Sequence, residues 1–264
     1  MNVFYWILAF SFLGSVLSVA AAAGYLLLPE KLRIQMLASL VSFATGVLLG
    51  TAFLHLLPSA LEQGEILSAD GVMMTVLFGI FVFFILEKAL IWRHTHHHGD
   101  HSHSHFDLHQ CDRGATSAGS LIVIGDTFHN FLDGILLTAA FVTDIKLGIA
   151  TGIALIAHEI PQELGDFAIL INSGVSRLKA FILNGISSLA MVIGATLAWV
   201  FIAHVKTGLP YILAFTASSF IYIAVADLIP SLHRGVRLRE TIHQLILIGG
   251  GVLLIASFHL FGNH

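Results

Sequence analysis

Charged side chains are scarce in this sequence. Asp, Glu, Lys and Arg together make up 11% of its 264 residues, whereas about a quarter of a typical soluble domain is charged. Hydrophobic residues make up 56%, and a water-soluble globule of this composition would lack the polar surface to cover them. Only twelve Lys and Arg residues are present, without a dense patch, which argues against nucleic-acid binding. The partner expected for such a chain is the lipid bilayer.

Cysteine is scarcer still. Cys111 is the one cysteine of the sequence, so a disulfide within the chain cannot support the fold. No Lys or Arg precedes Lys31, and the apolar stretch Val3–Leu28 therefore lacks the basic start of a cleaved signal peptide. We expect this stretch to be a permanent first span.

Long apolar runs dominate the remainder. A helix needs about twenty mostly apolar residues to cross a bilayer. Eight segments meet this requirement: Val3–Leu28, Ile34–Leu57, Val72–Trp92, Ser117–Val142, Leu147–Ile171, Leu178–His204, Tyr211–Leu232 and Ile242–Phe261. The fourth and fifth are the least hydrophobic because they contain carboxylates. The fold expected is an all-α, multi-pass integral membrane protein of eight transmembrane helices, a single domain over residues 1–264.

The basic residues predict the orientation, since cytoplasmic loops are enriched in Lys and Arg. With the N-terminus outside, the outer loops contain only Lys146 and Lys206. The other ten of the twelve fall on the cytoplasmic side: Lys31, Arg33, Lys88, Arg93, Arg113, Arg177, Lys179, Arg234, Arg237 and Arg239. Eight spans then place both termini outside.

One long loop, residues 93–116, joins the third and fourth spans on the cytoplasmic side. It contains eight of the sixteen histidines: His94, His96, His97, His98, His101, His103, His105 and His109. Its stretch His94–His105 has no apolar side chain with which to pack, so we expect the loop to be disordered and to bind metal loosely, as a buffer or sensor. The alternative is a solvated linker of low complexity.

A short internal match suggests an inverted repeat. The second span contains His55-Leu56-Leu57-Pro58-Ser59, and the seventh contains Asp227-Leu228-Ile229-Pro230-Ser231. The two spans run in opposite directions, and inverted repeats around a midplane site are typical of transporters. The sequence thus predicts helices 1–3 and 6–8 as the two repeats, around a central pair 4–5.

This central pair carries the polar residues that a membrane helix normally avoids. The fourth span contains Asp126, His129, Asn130 and Asp133. Their spacing of i, i+3, i+4 and i+7 places them on one helix face. The fifth span contains His158, Glu159, Gln162, Glu163 and Asp166. At a rise of about 1.5 Å per residue, both histidines lie near mid-membrane.

The energy of insertion makes a structural accident improbable. One charged residue at the bilayer centre costs about 2.5–3.5 kcal/mol, so five carboxylates facing lipid would cost on the order of 12–17 kcal/mol. Neither span contains a Lys or Arg to pair with them, which leaves protonation or a bound cation. Imidazole, carboxylate and amide groups suit zinc, iron, manganese or cadmium. From the residues alone, His129 and His158 are the favoured ligands, and Asp126 and Asp166 either bind metal or orient a ligand histidine. With the two motifs described next, the predicted ligands are His129, Asn130, Asp133, His158, Glu159, Gln162 and Glu163.

Two motifs within these spans resemble a known family. The run His129-Asn130-Phe131-Leu132-Asp133-Gly134 matches the HNFxDG motif of ZIP metal transporters. The run His158-Glu159-Ile160-Pro161-Gln162-Glu163 nearly matches their HEIPHE motif. The segments Phe53–Pro58 and Leu164–Asp166 resemble the LIV-like branch. The resemblance covers all eight predicted helices.

The resemblance implies a transporter that takes up zinc, or a similar divalent ion, across the cell membrane into the cytoplasm, usually as a homodimer. It also implies an elevator-like motion of helices 1, 4, 5 and 6 against 2, 3, 7 and 8. One metal would be bound by His129, Asp133 and His158, and a second by Asn130, Asp133 and Glu159. Gln162 departs from the family, which usually has His or Glu there, and this puts the second metal in doubt.

Two other functions remain open from the residues alone. His158-Glu159 begins the HExxH motif of zinc proteases, but the fifth position is Gln162 rather than His. An intramembrane metalloprotease is therefore the weaker alternative. A metal-binding sensor without transport is the other.

Overall fold

All regular structure in the described part of the chain is helical. The computed structural model describes residues 2–26, 28–62, 68–96, 110–172, 174–205, 208–233 and 238–260. Eight helices follow one another: α1 (Val3–Leu26), α2 (Glu30–Thr51, continued by Ala52–Leu56 and Leu57–Glu62), α3 (Ala69–His96), α4 (Gln110–Thr143), α5 (Ile145–Asn172), α6 (Arg177–Val205), α7 (Leu209–Tyr222, continued by Ile223–Leu228 and Ile229–Leu232) and α8 (Leu238–Leu260).

Each helix covers one of the eight predicted spans, with the largest differences at the long loop. We expected that loop over residues 93–116, but α3 continues to His96 and α4 already begins at Gln110. Its ends therefore belong to helices. Residues 97–109, with most of the loop histidines, lie outside the described residues, and the predicted disorder remains a prediction.

The apolar surface is that of a membrane protein. Within the described ranges, six helices are long and apolar enough to cross a membrane, namely α1, α2, α3, α6, α7 and α8. The other two, α4 and α5, are those with the carboxylates. Large apolar side chains are exposed in continuous stripes, which on α3 consist of Met73, Met74, Leu77, Phe78, Phe81, Phe84 and Ile85. A soluble monomer rarely exposes such stripes.

The two halves of the internal match share an unusual local structure. A π-helical turn, Ala52–Leu56, precedes Pro58 in α2, and another, Ile223–Leu228, precedes Pro230 in α7. A proline lacks the N–H that an α-helix needs and crowds the carbonyl four residues earlier, so a wider turn relieves both problems. The match therefore has a common physical basis, while the inverted repeat as a whole remains a prediction.

The helices pack in two groups. In the first, α4 packs closely on α6, and α1 lies against α5 and α6. In the second, α2 packs on α8 and α3 on α7. The groups meet where α2 contacts α5 and α4 contacts α7. Helices α4 and α5 therefore stand at the boundary between the groups.

Two glycines bring α4 and α6 together. A methyl group at Gly134 would overlap the carbonyl oxygen of Met191, and one at Gly194 would overlap that of Phe131. Small residues of this kind permit close approach of membrane helices. The consequence is that side chains of α6 reach the polar face of α4 and α5.

Candidate metal centre

The polar faces of α4 and α5 meet because the two helices form a tight antiparallel hairpin. Only Asp144 separates them, and its Oδ1 accepts hydrogen bonds from the backbone N–H groups of Lys146 (2.8 Å) and Leu147 (3.1 Å). This caps the start of α5. His129 and His158 lie at nearly equal distances along the chain from Asp144, so the hairpin brings them to the same level.

The first group of ligating side chains consists of His129, Asp133 and His158, here called the histidine cluster. The Nε2 atoms of the two imidazoles are 3.3 Å apart. Each lies 3.4 Å from Oδ2 of Asp133. Asp133 and His158 are buried, whereas His129 retains 18% side-chain exposure. The three ligand atoms form a nearly equilateral triangle.

This triangle has the dimensions of one face of a zinc tetrahedron. Ligands about 2.0–2.1 Å from a tetrahedral zinc ion are roughly 3.3–3.4 Å apart. The three measured separations fall in that range. Two imidazole nitrogens and one carboxylate oxygen are also a common zinc donor set. The cluster therefore fits a zinc ion with a fourth position left for another ligand.

A backbone hydrogen bond prepares His158 for this role. Its Nδ1 lies 3.0 Å from the carbonyl oxygen of Ala154. A carbonyl can only accept, so in the neutral ring the proton belongs on Nδ1, and Nε2 presents its lone pair to Asp133 and His129. Such bonds to the second ring nitrogen orient metal-binding histidines. Ala154 lies one turn earlier on α5, so the helix that carries His158 also orients its ring.

The second group consists of Asp126, Glu159 and Glu163, here called the acidic cluster. One oxygen from each of the three carboxylates lies within 4.8 Å of the others. Their relative exposures are 5%, 1% and 0%. Two unit negative charges at this separation repel each other by about 3 kcal/mol at an effective dielectric constant of 20. Three ionised carboxylates therefore require a cation or a proton among them.

Neighbouring side chains position the acidic cluster through hydrogen bonds. The Asn130 amide Nδ2 donates to Oδ1 of Asp126 at 3.0 Å. From α6, the Ser188 hydroxyl donates to Oε1 of Glu163 at 2.5 Å. Asn184, also on α6, donates to the backbone carbonyl of Glu163 at 3.3 Å. The cluster thus depends on α6 as well as on the hairpin.

Several side-chain oxygens of the two clusters and of the neighbouring Asn130 have no hydrogen-bond partner among the described residues. They are Asp126 Oδ2, Asn130 Oδ1, Asp133 Oδ1 and Oδ2, Glu159 Oε1 and Glu163 Oε2, all buried. Buried polar atoms are nearly always satisfied. Their concentration in one region indicates a site whose ligand is a cation.

The predicted site residues thus divide between two clusters. His129, Asp133 and His158 meet in one, while Glu159 and Glu163 meet in the other, where Asn130 donates a hydrogen bond to Asp126. Gln162 lies half-buried one turn beyond His158.

Two contributors were not among the predicted ligands. Asp126 belongs to the polar face of α4, and its i, i+7 relation to Asp133 was the signal for it. Ser188 had no comparable signal, because a serine in an apolar helix is common. Asn184, also on α6, donates its amide hydrogen bond to the backbone carbonyl of Glu163 rather than to a carboxylate.

Comparison with known proteins decides the family. The sequence profile described as "ZIP Zinc transporter" matches residues 3–120 and 93–259. This chain belongs to the ZIP zinc transporter family. Zinc transporter ZIP13 of Pongo abelii is 32% identical over 238 residues, which cover 85% of this chain. Zinc transporter ZIP4 of Rattus norvegicus is 31% identical over 276 residues, covering 81%.

Membership of this family confirms two predictions from the sequence: that the chain is a ZIP protein and that it is not an enzyme. Its members are described as transporters, and the metalloprotease alternative finds no support among the relatives. The matched part of each relative differs: it is 67% of the ZIP13 protein but 42% of the ZIP4 protein. The relatives therefore extend beyond the region shared with this chain.

Proposed function

We propose that this protein carries divalent metal ions, above all zinc, across a membrane through the histidine cluster. The observation that carries the proposal is the triangle of 3.3, 3.4 and 3.4 Å between the two imidazole nitrogens and the Asp133 carboxylate. Membership of a zinc transporter family supports zinc as the substrate. Ions such as cadmium, iron and manganese have overlapping ligand preferences and are the expected competitors.

The direction we propose is uptake into the cytoplasm, which the family resemblance implies, and the charge bias of the loops predicts the orientation of the chain in the membrane. Ten of the twelve Lys and Arg residues lie on one side under the eight-span topology, and that side is cytoplasmic by the positive-inside rule. Zinc then moves from the outside to the cytoplasm across the cell membrane. The functional unit proposed is a homodimer.

Movement between two helix groups supplies the alternating access. The histidine cluster lies on α4 and α5, which belong to the group with α1 and α6. This group contacts the other through α2 with α5 and α4 with α7, and the His158 ring lies against Phe220 of α7, with 6.1 Å between ring centres. Sliding of the first group along this boundary would carry the bound ion from one side to the other, as an elevator.

The test is zinc flux by the purified protein in sealed lipid vesicles. We expect zinc to accumulate with the wild-type chain, and the Asp133→Asn variant to stay near empty vesicles because it loses the carboxylate that contacts both histidines. Asp70→Asn is the matched control, since it makes the same change at an exposed residue of α3. Wild-type protein that binds zinc without flux would instead support the sensor, and peptide cleavage without flux would support the protease.

A further inference from the structure

We propose that three buried hydroxyl groups, those of Thr51 on α2, Thr151 on α5 and Ser219 on α7, bind water between the two helix groups and form the outer approach to the histidine cluster. These three groups are here called the boundary hydroxyls. Their part in transport rests on the proposed function, but the water that they bind can be detected without any transport.

The boundary hydroxyls differ from other buried hydroxyls of the chain. A serine or threonine inside a helix commonly donates to a backbone carbonyl three or four residues earlier. Thr45 on α2 does so to Val41 at 2.8 Å, and Thr216 on α7 does so to Ile212 at 2.7 Å. Both are fully buried. The boundary hydroxyls are equally buried but have no partner within the described ranges, so their hydrogen bonds are left for a ligand.

Thr51 lies in the apolar core that joins the two helix groups. Leu48, one turn earlier on α2, and Ala52, the next residue, belong to a core cluster that also contains Ala154 of α5 and Phe220 of α7. Helix α2 packs against α5. Thr51 is therefore enclosed at the boundary between the groups.

The other two boundary hydroxyls lie close to the histidine cluster. Thr151 precedes His158 by seven residues on α5, so the two side chains share a helix face and are about 10 Å apart along the axis. Under the proposed topology, Thr151 is on the outer side of His158. Ser219 directly precedes Phe220, whose ring centre is 6.1 Å from that of His158. The hydroxyls thus lead towards the cluster along α5 and from α7.

Water is the ligand that fits these groups. A buried hydroxyl without a partner destabilises the folded state, whereas an apolar side chain of the same shape does not. A boundary with a purely structural role would therefore favour valine and alanine at these positions. A hydroxyl both donates and accepts, and buried water usually satisfies such groups. Hydroxyls carry no charge to neutralise a bare divalent ion, so they would contact its hydration water rather than bind the ion in place of the histidine cluster.

This water has a function if the ion enters through the boundary. Moving a charge into an apolar core without compensating groups is costly. An ion that keeps part of its hydration shell until His129, Asp133 and His158 replace it avoids much of that cost. The boundary hydroxyls should therefore raise the rate of zinc uptake and leave the equilibrium affinity of the histidine cluster unchanged.

The transport experiment compares vesicles that contain Thr51→Val, Thr151→Val or Ser219→Ala. Each variant should take up zinc about fivefold more slowly, the ratio that corresponds to one hydrogen bond of usual strength. Zinc affinity, measured by dye competition in detergent, should equal that of the wild-type chain. Thr51→Ser and Thr151→Ser keep the hydroxyl and should keep the wild-type rate.

Two matched controls remove a buried hydroxyl that already has a partner. Thr45→Val lies on the same helix as Thr51, and Thr216→Val lies on the same helix as Ser219. Both should transport at the wild-type rate. Thermal unfolding in detergent identifies any variant that has not folded, and Ser219→Ala, the smallest change, keeps the test decisive if the valine variants unfold.

Radiolytic footprinting of the full-length protein tests the water directly, because X-rays convert bound water into radicals that oxidise the side chains beside it. Phe220 is fully buried, so its oxidation requires internal water. We expect Phe220 to be oxidised in the wild-type chain and much less in Ser219→Ala, with Thr216→Val like the wild type.

Three results would overturn the inference: wild-type uptake rates in all folded boundary variants, no oxidation of wild-type Phe220, or a zinc affinity that falls as much as the rate. The last would mean that the hydroxyls act on the histidine cluster itself. Failure of the proposed function looks different, since wild-type vesicles would then take up no zinc while Ser219-dependent oxidation of Phe220 persisted.

Discussion

The histidine and acidic clusters lie side by side on one hairpin, yet they are held in different ways. The histidine cluster is complete within α4 and α5, and the bond that orients His158 comes from Ala154 of its own helix. The acidic cluster needs α6, whose Ser188 fixes one oxygen of Glu163. The first is therefore a property of the hairpin, and the second is a property of how the hairpin is packed.

This difference has a chemical counterpart. Two nitrogens and one oxygen at 3.3–3.4 Å from one another describe a compact zinc site. Three carboxylates whose oxygens lie up to 4.8 Å apart form a looser group of oxygen atoms without an imidazole. Changes to the hairpin should thus act mainly on the histidine cluster, and changes to α6 should act mainly on the acidic cluster.

The largest effect expected is on zinc binding. In a chain that lacks residues 95–109, so that loop imidazoles do not compete, His129→Ala combined with His158→Ala should weaken zinc binding by more than roughly 100-fold, since loss of even a supporting partner costs about 10–100-fold. Competition with a zinc-binding dye measures this. Unchanged zinc affinity in the folded double variant would contradict the assignment of zinc to the histidine cluster.

The next effect concerns the contact between α4 and α6. A methyl group in Gly134→Ala overlaps the Met191 carbonyl, and overpacking of this kind costs about 1–3 kcal/mol. The thermal unfolding midpoint should fall, because the added methyl group pushes α6 away from α4. Gly165→Ala is the matched control, since a methyl group there meets nothing within 4 Å. Equal stability of the two variants would contradict the packing argument.

Gln162→His should produce a gain rather than a loss. The histidine cluster offers three ligand atoms, and zinc in proteins is usually four-coordinate. Gln162 follows His158 by one turn, so an imidazole there can complete the tetrahedron and raise zinc affinity by roughly tenfold or more. Isothermal titration with zinc, cadmium and manganese measures the change. Unchanged constants for all three ions would show that this position faces neither cluster.

The smallest effect is expected from the loop. Deletion of Thr95–His109 should leave the zinc flux of vesicles nearly unchanged, because both clusters lie within the helices. The response of the flux to metal on the cytoplasmic side should change, since seven histidines are lost. Complete loss of flux in a folded deletion variant would place the loop in the transport path.

Sequence patterns predicted the fold well because membrane helices are long, apolar and locally encoded. The order of all eight helices, the pairing of α4 with α5 and the proximity of His129 to His158 followed from spacing alone. The division of the ligands was not predictable, because it depends on which rotamers the packed hairpin allows. The hydrogen bond from Ser188 to Glu163 was not predictable either, because it depends on how α6 packs against α4. The close approach of the two helices at Gly134 and Gly194 determines that packing.

The central claim is that zinc crosses through the histidine cluster, and flux through His158→Ala tests it most directly. This variant removes a ligand atom that lies 3.3 Å from His129 and 3.4 Å from Asp133. His243→Ala, which removes an exposed histidine of α8, is its control. We predict that zinc uptake into vesicles falls to the level of empty vesicles for His158→Ala and stays at the wild-type level for His243→Ala. Wild-type uptake by folded His158→Ala protein would contradict the account.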